Sequence, residues 1–312
     1  MRHALRTLLR TPALTLTIIL SVAAGIGVNT AIFSFLGATV YRPLPGVSAD
    51  VLTIQISQRN RLSGASWVEY RDVHDRLAPF ADVTAQSARA LYTDNGARTE
   101  RIWAQFVSEN FFGVFGVQPA LGRFFRADEA TVPGSAPVVV ISHGFWQSRF
   151  GGSPDALGQV VKFNNVPFTI VGVTPPIFQG GVMALTFEAW VPATMSARVF
   201  TDVVQFNNRD FRAFQLDAVV KPGVSRTAVE RELELTRRAL TADFPDANKE
   251  ITFSLRPLWR GTRSGEILIP VYGTLQIFAA LILIVVGINT ANLLLARATV
   301  RRREIGIRLA VG

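Results

Sequence analysis

The chain has 312 residues, 49% hydrophobic and 18% charged, with a mean hydropathy of +0.28, which excludes a disordered chain and requires the apolar residues to be gathered in blocks. Its lack of cysteine excludes a disulfide framework, a thiolate metal site and a cysteine nucleophile. The net charge of +9 sits mostly at the two ends, and the residues between them hold 24 bases against 22 acids, so no broad basic surface exists for nucleic acid.

Residues 1–12 read as a cytoplasmic amphipathic helix, with Arg2, Arg6 and Arg10 on one stripe and Leu5, Leu8 and Leu9 opposite, suited to the lipid surface; arginines that only set orientation during insertion are the alternative. No charged residue occurs from Thr11 to Tyr41, longer than the roughly 20 residues that cross a bilayer, and a first transmembrane helix is expected over 13–41. A cleavable signal peptide is the rival, since Ser21-Val22-Ala23 resembles a cleavage site; against it, the apolar run continues through Phe33, Phe35 and Leu36. Pro43 and Pro45 then end the helix.

Residues 42–266 alternate between strand and helix patterns. Val51–Ser57 alternates apolar and polar residues; Ser66 to Glu69 fits a capping box ahead of a helix burying Trp67, Tyr70, Val73 and Leu77; Phe80–Tyr92 and Thr99–Val107 read as strands. A strand is expected over Phe211–Val220, a helix over Ser225–Thr241 with Val229, Leu233, Thr236 and Leu240 inward, and a strand over Ile251–Leu258. These elements form a βαβ lobe from 50–107 and 210–260, interrupted by a β-rich insertion at 108–205 in which Asn164-Asn165 makes a hairpin turn.

A second charge-free run, Ile267–Ala296, predicts a transmembrane helix over 267–296, followed by a cytoplasmic segment at 297–312. Arg297, Arg301, Arg302, Arg303 and Arg308 flank this end as Arg2, Arg6 and Arg10 flank the other, which places both termini in the cytoplasm and 42–266 outside. Ala23, Gly27 and Ala31, and Gly287 and Ala291, have the four-residue spacing of close helix packing, and the amides of Asn29, Asn289 and Asn292 need partners inside a bilayer. The expected fold class is thus two transmembrane helices flanking a large extracytoplasmic α+β domain of split βαβ units with a β-rich insertion.

No catalytic site assembles. None of H-E-x-x-H, G-x-x-x-x-G-K-[ST], G-x-S-x-G or G-x-G-x-x-G occurs. Ser142-His143 lacks a third group to complete a relay, and Asp72, His74 and Asp75 read as a solvated helix face rather than a metal site. No catalytic, cofactor or metal residue is assigned, and the chain is read as not an enzyme.

The segments Gly25-Ile26-Gly27-Val28-Asn29-Thr30-Ala31 through Pro43-Leu44-Pro45, and Asn289-Thr290-Ala291-Asn292 through Arg301-Arg302-Arg303-Glu304-Ile305-Gly306-Ile307-Arg308-Leu309, resemble the FtsX/MacB-like ABC transporter permeases. Between them, Asn110–Phe125, Val138–Gly152 and Thr169–Pro176 with Phe178 resemble the MacB-like periplasmic core domain, especially that of the duplicated acidobacterial permeases. The resemblance implies a multi-pass inner-membrane permease subunit without a nucleotide site of its own, without a cofactor, and paired as a dimer. Its ATPase would be MacB-like or of the lipoprotein-release type, and ATP hydrolysis would move the periplasmic domain in export or efflux. Family permeases have at least four spans, so on this reading the chain is an N-terminal fragment. Arg301, Arg302, Arg303, Glu304, Ile305, Arg308 and Leu309 would couple to the ATPase as a short amphipathic helix; a charge cluster that only fixes topology is the alternative. A membrane-tethered sensor or adaptor without an ATPase is the alternative function.

Overall fold

The computed structural model describes residues 12–37, 44–48, 50–94, 98–130, 132–183, 185–200, 206–258 and 263–311. The chain divides into two compact units, Met1–Arg42 with Ile267–Gly312, and Pro43–Glu266. The amphipathic segment expected at 1–12 lies outside the described residues, apart from Pro12.

In the larger unit the elements run β1 (Leu52–Gln58), β2 (Arg61–Ser63), α2 (Trp67–Leu77), β3 (Ala81–Asp94), β4 (Thr99–Val107), α3 (Phe111–Val114), β5 (Leu121–Gly122), β6 (Val138–Ile141), α4 (His143–Phe150), β7 (Val160–Phe163), β8 (Val166–Val173), β9 (Ala189–Pro192), α5 (Ser196–Val199), β10 (Gln215–Val220), α6 (Arg226–Asp243) and β11 (Ile251–Pro257). One sheet joins all eleven strands in the order β11-β1-β10-β3-β4-β9-β6-β8-β5, with β2 on β1 and β7 on β8. β10 is antiparallel to both β1 and β3, and β11 is antiparallel to β1, so β1-α2-β3 and β10-α6-β11 are two interleaved parallel crossovers. This is the split βαβ, or ferredoxin-like, arrangement.

Local chemistry explains the helices of that lobe. Ser66 Oγ accepts from the Glu69 amide while the Glu69 carboxylate accepts from the Ser66 amide, which satisfies two otherwise orphaned donors at the start of α2. The predicted stripes, Trp67, Tyr70, Val73 and Leu77 on α2 and Val229, Leu233, Thr236 and Leu240 on α6, are buried. They pack on Ile54, Ile56, Val83, Ala85, Leu216 and Ala218 of the sheet. Period-two alternation sends the intervening residues to the opposite face, where Val107, Trp190 and Val219 pack with Phe111, Phe112, Phe178 and Phe187.

The lobe and the insertion share one sheet, because Ala104–Val107 pairs with β3 on one side and in parallel with Ala189–Pro192 on the other. Two expectations are corrected. Asn110-Phe111-Phe112-Gly113, read as part of a strand-rich stretch, forms the short helix α3, whose phenylalanines are buried. The alternation from Phe211 predicted a strand, yet β10 begins at Gln215: the Ala213 amide turns back to the Phe211 carbonyl, and Phe214 exchanges bonds with Ala65 instead of extending the ladder. The Asn164-Asn165 hairpin forms with both residues left-handed, at φ 49° and 63°.

The smaller unit contains α1 (Pro12–Leu36) and, from Ile267 on, α7 (Arg263–Val311). Within α7, Pro270–Asn292 is long and apolar enough to cross a membrane; the apolar stretch Ile19–Ser34 of α1 is shorter. The segment after Ala296, expected as a separate short helix, continues α7 without a break, because no glycine or proline separates the apolar run from the arginines. Gly25 permits the approach of the two helices, a Cβ there lying 3.2 Å from Val286 Cγ2.

Candidate functional site, a polar ladder beside a notch in the sheet

On the face opposite α2 and α6, five neighbouring strands contribute polar side chains to a hydrogen-bonded ladder, two of them from β10 and one from each of the others. Thr53 stands directly across from Asp217, and Gln105 directly across from Trp190, while Gln86 lies diagonally between these pairs. Such neighbours on one face are within side-chain reach. Trp190 Nε1 donates to Gln105 Oε1 at 2.7 Å, Gln105 Nε2 donates to Gln86 Oε1, and Gln86 Nε2 donates to Asp217 Oδ2. Thr53 Oγ1 donates to Asp217 Oδ1 at 2.7 Å, and Gln215 Nε2 donates to both carboxylate oxygens at 2.9 and 3.1 Å.

The direction of the ladder is dictated by its ends. An indole is donor only, so Gln105 must accept with its oxygen and donate with its nitrogen, and the same constraint passes to Gln86. The chain therefore terminates on a group that accepts, and a carboxylate serves. Burial pushes the Asp217 carboxyl up to about 6, while the hydrogen bonds from Thr53, Gln215 and Gln86 act in the opposite direction. The Gly180-Gly181 backbone lies on the two glutamines: the Gly181 amide donates to Gln105 Oε1 and its carbonyl accepts from Gln86 Nε2. A Cβ at Gly181 would lie 2.8 Å from the Gln86 amide, so only glycine fits this approach.

Beside the ladder, where β10 has ended, the sheet opens into a notch of about 380 Å³ between Leu62–Gly64 and Gln86–Arg89, with Arg212–Leu216 at one end. Arg212 is held inside the protein: its Nη1 donates to Glu69 Oε2 at 2.6 Å, and its Nη2 to Asn248 Oδ1 at 2.8 Å. Arg89 has no carboxylate partner among the described residues; its guanidinium lies 5.8 Å from the ring centroid of Phe200 and 5.9 Å from that of Phe211.

Neither the ladder nor the notch was anticipated from the sequence. Their residues are ordinary strand polars far apart in the chain, and the alternation of β1, β3 and β10 could show only which residues share a face. Of the residues singled out, Ser142 is the N-cap of α4, its Oγ accepting from the Phe145 amide at 3.0 Å, and the His143 ring stands edge-on to Trp146. Asp72 pairs with Arg209 at 2.8 Å, and His74 Nδ1 with Asp75 Oδ1 at 3.0 Å. No cluster of metal-binding side chains occurs among the described residues.

In the helical unit, Ala23, Gly27, Ala31, Gly287, Asn289, Ala291 and Asn292 are exposed and Asn29 is half-buried. Gly27 and Gly287 have nothing within 4 Å of a built Cβ. The contact between α1 and α7 uses Gly25, Leu283 and Val286 instead. Arg301, Arg302, Arg303, Glu304, Ile305, Arg308 and Leu309 all lie on α7.

A ferredoxin-like lobe split by a β-rich insertion defines an α+β domain, in a chain that also holds an apolar helix long enough to cross a membrane. The MacB-like periplasmic core domain matches residues 15–235. The chain belongs to that family, whose members are components of ABC transporter permeases. A probable export ATP-binding/permease protein MacB of Pseudomonas entomophila is 32% identical over 66% of this chain and 29% of its own length. The macrolide export ATP-binding/permease protein MacB of Burkholderia thailandensis is 29% identical over 84% of this chain and 40% of its own length. The alignments thus take in well under half of the relatives' length. The periplasmic region of MacB from Actinobacillus actinomycetemcomitans shares the fold, with a TM-score of 0.50 at 17% identity, covering 67% of this chain and 90% of that one.

Proposed function

We propose that the chain is the permease part of an ABC exporter of the inner membrane, with α1 and α7 both spanning the bilayer and residues 42–266 in the periplasm. The family match carries this reading, and the near-neutral central domain between arginine-rich ends supports its orientation. The relatives' names join ATP binding and permease in one protein; here hydrolysis is assigned to an ABC ATPase outside residues 1–312. The segment Arg301–Leu309 of α7 is the proposed contact with that ATPase, and the helix running on from Pro270 to Val311, about 60 Å, supports a mechanical transmission, since displacement is carried along its length. The exposed small and amide residues of both helices are proposed to pack against further helices, in a dimer or in additional spans.

The test is ATP hydrolysis by an ABC ATPase co-expressed with the chain in membranes. Charge reversal of Arg301, Arg302 and Arg303 together is expected to abolish co-purification and any stimulation of hydrolysis, while leaving the chain inserted. Undiminished association of the triple variant would remove the coupling assignment. A sensor or adaptor role would be favoured instead if the chain functioned in cells lacking every candidate ATPase.

A further inference from the structure

The ladder parity of β3 identifies backbone groups with no partner among the described residues. Ala85 faces β4, since its amide donates to Ser108 Oγ and its carbonyl accepts from the Ser108 amide. Tyr92 faces the other way: its amide donates to Asn164 Oδ1 at 2.9 Å and its carbonyl accepts from the Asn164 amide at 2.8 Å. Alternation therefore turns the N–H and C=O groups of Ala88 and Ala90 away from β4, toward the side occupied at Gln86 by β10. β10 begins at Gln215, opposite Gln86, and the Ala213 amide that would have met Ala88 is bonded to Phe211. Four backbone groups, two donors and two acceptors at strand spacing, are left without a partner among the described residues along this edge between Gln215 and Asn164, those of Ala88 beside the notch and those of Ala90 further along.

We propose that this edge is a binding site for an extended acidic peptide segment of a partner protein, which adds to β3 at Ala88 and Ala90 and places a carboxylate beside Arg89. This inference does not depend on the transport reading. Backbone complementarity selects an extended chain, because only a strand offers donors and acceptors at the required alternation. Charge complementarity selects the acid: Arg89 lines the notch, is half-buried between Phe200 and Phe211, and has no carboxylate partner among the described residues. Burial already pulls its guanidinium below the ordinary arginine range, and an incoming carboxylate offsets that cost. The notch, at about 380 Å³, has room for a few residues beside Gln86 to Arg89.

The experiment uses the full chain in detergent and a blocked hexapeptide of alternating valine and threonine with one central aspartate, at concentrations up to about 1 mM, the range expected for a few exposed backbone hydrogen bonds. Hydrogen exchange across residues 84–92 is expected to slow on adding the peptide. Two N-methylated versions separate the readings. Methylating the amides that face β3 should weaken binding about tenfold, while methylating the alternate set should leave it unchanged. Replacing the peptide aspartate by asparagine should weaken binding to the wild type about tenfold, with no further loss in Arg89→Gln. Ala90→Pro should abolish the protection without loosening the β3–β4 ladder, because the Ala90 amide takes no part in it; if that variant fails to fold, the methylated pair gives the same information on the native chain. No slowing at any peptide concentration, equal effects of the two methylated peptides, or protection that rises with protein concentration in the absence of peptide, as pairing with a second copy would give, would each overturn the proposal.

Discussion

Asp217→Asn has an outcome that grows with pH. The folded carboxyl holds its proton to about pH 6 because it is buried, whereas its ordinary value is 3.8. Between those values the folded state binds a proton that the unfolded state has lost, so raising the pH favours unfolding. The stability is fully present below about pH 4 and is lost as the pH passes through 6. A separation of about two units corresponds to about 3 kcal/mol. Asparagine does not titrate, and it fits the ladder in one orientation: its carbonyl toward Gln86 Nε2 and its amide toward the Thr53 hydroxyl, which can accept. The protonated carboxyl of the wild type offers the same one acceptor and one donor, so at pH 4 both forms keep one of the two contacts with Gln215. The variant is expected to match the wild type in stability at pH 4 and to be about 3 kcal/mol more stable at pH 7.5. Urea unfolding of the full chain, followed by tryptophan fluorescence at a series of pH values, measures the difference, and the other titrating groups cancel in it. A difference that stays constant from pH 4 to 8 would refute both the buried, raised carboxyl and the linkage drawn from it.

Arg212→Ala strands the Glu69 carboxylate in the interior and should cost about 3–5 kcal/mol in the same unfolding assay, far more than removing an exposed pair such as Arg226 and Glu230. Ser142→Ala should lose only a helix cap, about 1 kcal/mol, and His143→Ala less; transport activity should survive both, and its loss in a stably folded variant would restore a catalytic reading. Gly25→Leu should disrupt the packing of α1 on α7 within the chain, whereas Gly27→Leu should leave it intact, as read by disulfide cross-linking of cysteines introduced on the two helices. Reporter fusions at Gly134 and Gly312 should show the first in the periplasm and the second in the cytoplasm; the opposite result would invert the proposed topology.

Periodicity made much of the lobe legible. The capping box at Ser66 and the stripes of α2 and α6 are local signals, set by i, i+3 and i+4 neighbours, and they appear in the structure where those signals place them. The sheet was less legible because pairing is non-local. Nothing near Thr99–Val107 states that it will be shared between β3 and β9, and nothing near Phe211 shows that Phe214 will prefer Ala65 to the β3 edge. The notch is the direct result of that second choice. Small-residue spacing on the helices failed differently: it reports which face can approach another backbone, but it does not name the partner, and within this chain the approach is made at Gly25.

The ladder gives the domain a mechanical property that separate lobes would lack. Thr53, Gln86 and Asp217 belong to the split βαβ lobe, Trp190 to the insertion, and Gln105 to β4, the strand that pairs with both. Because the donor-only indole and the acceptor carboxylate fix the sense of every bond, one amide cannot turn without leaving a buried donor facing another, at a cost of about 1–3 kcal/mol. Relative movement of lobe and insertion by shearing β3 past β4 would break these bonds together with the backbone ladder beneath them. Displacement delivered to one part of the sheet is therefore carried to the other, and a conformational change in residues 43–266 must be accommodated in loops, such as those bordering the notch, where the hydrogen-bonded sheet has already been interrupted.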